Sequence, residues 1–107
     1  MPIADEVALN AYITAVNARE VAQVCARHVE GFRQQFEQDF ASWSRRNAQE
    51  ISRGDALATA KGWNSAGPAS VQRMAQMEAD LIERLPADDR TRRCSELVAR
   101  LAPAPQK

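Results

Sequence analysis

The chain has 107 residues, with fourteen basic side chains against fourteen acidic ones. That balance, with no basic run longer than Arg45-Arg46 or Arg92-Arg93, argues against a nucleic-acid binder, whose affinity comes from a basic excess that neutralises phosphates. No apolar run approaches the roughly 20 residues that span a bilayer, so no membrane insertion is expected; a chain this short reads as one domain that buries only about two-thirds of its unfolded surface.

From Asp5 to about Glu30 the apolar residues Leu9, Ile13, Val16, Val21, Val24, Cys25 and Val29 recur at helical spacing, with Asp5 and Glu6 where a helix N-terminus favours acids. Gly31 either ends this first helix or bends it, because a stripe of Cys25, Val29, Phe32, Phe36, Phe40, Trp43, Asn47 and Ile51 runs across the glycine at a helical period. A second helix is expected from about Phe32 to Arg53, with Gly54 as its C-terminal cap. The aromatic line reads as the seam that this helix buries against the others, which makes Phe32, Phe36, Phe40, Trp43 and Asn47 structural core. Asp55 can cap a short helical piece, ALATAK, ahead of GWNSAGP, the main loop, where Gly, Asn, Ser and Pro cluster. After Pro68, the residues Val71, Met74, Met77 or Glu78, Leu81, Ile82 and Leu85 give a third helix that stops at Pro86. The fourth, ADDRTRRCSELVARLAP, starts from a capping Asp88 or Asp89 and carries Cys94, Leu97, Val98 and Leu101 on one face. No β-branched run alternates with polar residues, so the fold class is all-α, a small bundle or orthogonal array of about four helices. Residues 1–101 form the single helical domain, and 102–107, APAPQK, are expected as a disordered tail.

Cys25 and Cys94 each fall on the apolar face of their own helix, towards opposite ends of the chain. A bridge between them closes a loop of about 70 residues and contributes roughly 4 kcal/mol in the chain-entropy model. A disulfide is therefore favoured over two buried thiols or metal ligation, and with it an oxidising compartment. The metal reading rests on CARH, in which Cys25 and His28 lie one turn apart, with Cys94 as a third ligand of a Cys2His zinc site and Glu96 as a fourth. A thiol nucleophile with His28 as its base is disfavoured, because Cys25 sits in an apolar stripe with a second cysteine available to oxidise it. Asp88-Asp89 and Glu78-Asp80 read as helix-start and solvated-face charges, and GDALATAKGWNSAG lacks the glycine order of a phosphate loop. No catalytic residue, metal or cofactor is expected, and the chain reads as a protein without enzymatic activity.

Asn47 lies one turn beyond Trp43 on the apolar stripe, where an unpaired amide costs about 1–3 kcal/mol. It is expected to bond backbone in the Lys61-to-Pro68 loop, or else to help form a polar pocket. Arg45 and Arg46 project elsewhere and can pair with acids or meet a partner. Trp63, between the glycines of KGWNSAGP, either folds back over the end of the bundle or stands as an interface anchor, since Trp and Arg are enriched at hot spots. Trp63, Asn64, Arg45 and Arg46 are thus the candidate partner-binding residues.

Twelve arginines against two lysines, with twenty alanines, are the bias of a GC-rich bacterial genome. Cys25, the phenylalanines, Trp43, Arg46, Asn47 and Cys94 form the pattern C…F…W-x-x-R-N…C, which resembles that of small two-cysteine helical proteins exported to the periplasm of proteobacteria. The resemblance implies a periplasmic, non-enzymatic protein that binds another protein, and it permits an immunity or inhibitor role toward an antibacterial effector. The start MPIADEVALNAY has neither the basic n-region nor the apolar h-region of a signal peptide, so the periplasmic reading presumes a leader already removed, with PIADEV near the mature N-terminus. The alternative from another class is a small zinc or thiol enzyme using Cys25, His28 and Cys94; a third reading is a cytosolic helical adaptor or assembly subunit with both thiols reduced.

Overall fold

The computed structural model describes residues 1–103 and contains five helices: α1 (Ile3–His28), α2 (Phe32–Arg46), α3 (Ala48–Ala60), α4 (Val71–Glu83) and α5 (Ala87–Leu101), with no strand among the described residues. The all-α expectation holds, and residues 104–107 of the expected tail lie outside the described residues. α1 is the axis of the fold. Its 26 residues span about 39 Å at 1.5 Å per residue, and every other helix packs against it. The body is flat, 40 × 38 × 19 Å.

The buried side of α1 is rich in small residues: Ala8, Ala15, Ala18 and Ala22 lie beside Leu9, Val16, Val21, Val24 and Cys25. Small side chains let a second helix approach closely, because the distance between axes follows the residues at the contact. Gly54 uses that freedom. It is buried inside α3, and a Cβ there would stand 2.0 Å from the Ala8 carbonyl oxygen and 2.7 Å from the Tyr12 Cβ. Gly54 is therefore a close-approach residue and not the expected helix terminator, and Asp55 lies within α3 instead of capping a separate piece.

The expected helix from Phe32 to Arg53 is divided at Asn47, with φ −114° and ψ 18°. Its side-chain Nδ2 donates to the Trp43 carbonyl at 2.8 Å, where its own backbone N–H also donates at 3.0 Å. An asparagine amide that bonds the neighbouring main chain competes with the helical ladder. This local bond replaces the expected tie to the Lys61-to-Pro68 loop. Gly31 turns the chain as well: α1 ends at His28, and Gly31, with φ 77°, adopts the left-handed conformation ahead of α2.

The main core joins Val21, Val24 and Cys25 of α1 to Phe32 and Phe36 of α2, Ile82 of α4 and Cys94, Leu97 and Leu101 of α5. The aromatic line enters this core at one end and surfaces at the other. Phe32 and Phe36 are buried, whereas Phe40, Trp43 and Asn47 are half-buried. Successive ring centroids stack at 5.7, 5.1 and 5.9 Å, and the Arg19 guanidinium lies over Phe40. The Cys25 and Cys94 sulfurs, both fully buried, stand at disulfide-bonding distance, 2.09 Å, and link α1 to α5.

One helix start differs from expectation. α5 begins after Pro86 with no side-chain cap, and Asp88 and Asp89 sit in its first turn, where acids suit the helix dipole. α4 is capped by Ser70, whose Oγ accepts the Arg73 N–H at 3.1 Å. Its buried face is Val71, Ala75, Ala79 and Ile82, while Met74, Met77 and Leu81, expected in the core, are 54%, 46% and 59% exposed. The alanine face of α1 takes the small residues of α4, and the bulky row is turned outward.

Gly54→Ala should thus reverse the usual sign of a helix-interior substitution, which gains about 1 kcal/mol. Here chemical denaturation should register a loss of about 1–3 kcal/mol from overpacking against backbone, and a stabilised variant would contradict the close α1–α3 contact. Replacing both Cys25 and Cys94 by Ala should lower the unfolding free energy by roughly 4 kcal/mol, since the bridged residues are 69 positions apart; a loss below about 1 kcal/mol would deny the bridge that role.

Candidate functional site

The loop between α3 and α4 is pinned before it presents anything. Gly62, at φ 79°, reverses the chain directly after α3. The Trp63 N–H then donates to the Ala58 carbonyl at 2.9 Å, and the Val71 N–H donates to the Trp63 carbonyl at 2.8 Å. Asn64 locks the segment from the other side. Its Oδ1 accepts the Tyr12 hydroxyl at 2.8 Å, and its Nδ2 donates to Thr59 Oγ1 at 2.8 Å and Asp55 Oδ1 at 3.1 Å. The backbone at Trp63 is thereby fixed to α1 and α3, yet the residue itself is 38% exposed, with the Lys61 ammonium 5.4 Å from its ring centroid.

Trp63 forms one wall of an open groove of ≈ 500 Å³. Ile13 and Asn17 of α1 and Val71, Met74 and Glu78 of α4 supply the others. Asn17 and Glu78 are its only strongly polar members, and Glu78 is paired with Arg93 at 2.6 Å. Such a lining suits an apolar side chain, because apolar surface removed from water is what it can stabilise. Among the described residues no helix is long and apolar enough to cross a membrane.

The four residues grouped as partner-binding separate in the structure. Trp63 lines the groove, and the Asn64 amide is occupied inside the fold. Arg46 caps the end of α5, donating to the Leu101 carbonyl at 2.9 Å and to Ser42 Oγ at 2.6 Å. Arg45 is exposed on α2, and no bond or groove among the described residues connects it to Trp63. Ile13, read from the sequence as core, is 39% exposed at the groove, and with Met74 it is a site residue that periodicity misassigned. The available signal was a surplus: α1 and α4 carry more apolar residues than one buried face accommodates.

Cys25, His28 and Cys94 are not gathered into a reactive or ligating set. The two sulfurs are bonded to each other, Glu96 lies near Arg93, and His28 pairs with Glu83 on the surface. Among the described residues no three His, Cys, Asp or Glu side chains converge as metal ligands. Glu83 is the hub of a surface tie between the ends of α1 and α4, taking Arg27 at 2.7 Å as well as His28. The Arg27 hydrogen bond, with a smaller contribution from His28, holds its carboxyl below the usual value against the opposing effect of desolvation.

No family model, curated protein or solved structure matches this chain, so a functional reading rests on its own residues.

A carboxyl with a lowered folded-state pKa contributes stability above its unfolded value, about 4.3, and loses it as pH falls through the folded value. Glu83→Gln should therefore lower the urea midpoint near neutral pH and shrink the difference between midpoints measured at about pH 7 and about pH 3. An unchanged midpoint at neutral pH would show that the tie adds no stability.

Proposed function

We propose that this chain is an exported, non-enzymatic protein-binding protein whose partner places an apolar anchor side chain in the Trp63 groove. The observation that carries the reading is a tryptophan left exposed on a loop that five hydrogen bonds hold still. A mobile loop would be free to fold its indole away; a fixed one keeps it at the surface, and a preorganised surface loses less entropy on binding. Lys61 stands beside the ring and makes no ion pair among the described residues. The complementary partner segment carries an acidic residue next to its apolar anchor.

The buried cysteine pair supports an oxidising compartment, and the resemblance to exported two-cysteine helical proteins supports the periplasm. Within that compartment the partner proposed is an antibacterial effector that this chain neutralises. Arg46 and Asn64 serve the fold in this reading, and Trp63 carries the affinity.

The test begins with capture of the partner from the periplasm of the native organism and continues by titrating the purified partner. Trp63→Ala should weaken binding by at least about 2 kcal/mol, as a hot-spot truncation does, while Arg45→Ala should bind as wild type. Equal affinity in the Trp63 variant would remove the groove from the interface. A partner that is harmless to cells when produced without this chain would remove the immunity role.

A further inference from the structure

We infer that the outer face of α4 pairs two copies of this chain in an antiparallel helix contact. α4 carries two apolar rows, whereas a surface helix ordinarily carries one. The inner row packs on α1. The outer row is Met74, Met77 and Leu81, spaced i, i+3 and i+7, and all three side chains are exposed. That spacing is the seam by which one helix packs on another.

The charges beside the row choose the occupant. Arg73 and Asp80 are seven residues apart, two turns, so they share one flank of the helix about 10 Å from each other. Both are exposed, and neither side chain has an ion pair or hydrogen bond among the described residues. In an antiparallel pair centred near Met77, Arg73 of each copy lies opposite Asp80 of the other, which makes two reciprocal ion pairs in a self-complementary contact. A parallel pair would instead set this flank against the opposite one, where Arg73 would meet a Glu78 already held by Arg93 and Asp80 would gain no partner. On the opposite flank Glu78 is already neutralised by Arg93, so no uncompensated acid opposes the approach.

The groove opens on the α1 side of α4 and the seam on its solvent side, with Met74 bordering both, so the self-contact does not depend on the proposed partner. Three side chains per copy are few against a standard interface of about 1,600 Å². The dimer is accordingly reversible and depends on concentration.

Analytical ultracentrifugation of the full chain across a concentration series tests this, with helicity of each variant checked by circular dichroism. Wild type should dimerise. Met77→Lys, which sets two ammonium groups near the two-fold axis, should weaken the dimer at least about tenfold. Arg73→Asp and Asp80→Arg should each weaken it to a similar extent, and the double reversal should restore it, because the pairs are re-formed with signs exchanged. Trp63→Ala should leave the dimerisation constant unchanged. A monomer at every concentration up to about 1 mM, a dimer indifferent to Met77→Lys, or a double reversal as weak as the single ones would each overturn the assignment. A dimer lost only with Trp63→Ala would place self-association in the groove and overturn it equally.

Discussion

Four alanines on one side of α1, Ala8, Ala15, Ala18 and Ala22, govern how the remaining helices meet it, because the separation of packed helices follows the side chains between them. Where α3 crosses, the approach is close enough to require glycine at position 54. Where α4 crosses, Ala75 and Ala79 face inward. The larger residues of α4 then have no place in the contact and stand on the outer side of the helix, and Ile13 and Trp63 complete a surface more apolar than the fold needs. The candidate binding surfaces are thus a consequence of small-on-small packing beneath them.

A body 19 Å thick has little interior, and the chain fastens its parts with a few strong local ties. The cysteine bridge holds α5 at the core. Elsewhere single polar side chains join neighbouring elements, some of them distant in sequence. Arg46 reaches the end of α5, Arg90 donates to the Glu83 and Leu85 carbonyls at the end of α4, and Asn64 joins the loop to α1 and α3. Guanidinium suits this work because one group offers several donors in a fixed fork. Arg46 and Arg90 are the arginines put to this structural use.

The two exposed apolar features differ in what they can accept. The Trp63 groove is walled by rigid elements and holds a shape before any partner arrives, which favours one anchor over others. The outer row of α4 is convex and contains two methionines, whose unbranched chains adapt to a facing surface. The concave site and the convex seam lie on neighbouring sides of one helix and meet at Met74.

Residue type and spacing by themselves determined the all-α class, the first helix, the main loop and the last two helices, marked Gly31 as an end or a bend, and favoured a Cys25–Cys94 bridge over free thiols or metal ligation, because helical periodicity, glycine and proline act through short-range geometry. Three features were decided only by the tertiary structure. Gly54 looks like a terminator in sequence, and only the crossing of α1 shows that it admits a backbone. Met74, Met77 and Leu81 fit an apolar stripe as well as Ala75 and Ala79 do, and which row turns inward depends on the small residues of a helix some sixty positions earlier. Arg46 and Asn64 look free in sequence, yet they bond to Leu101 and Tyr12, both more than fifty residues away. Hydrogen-bond partners and packing faces are properties of the assembled chain, since the atoms that satisfy a side chain come from segments that local sequence does not specify.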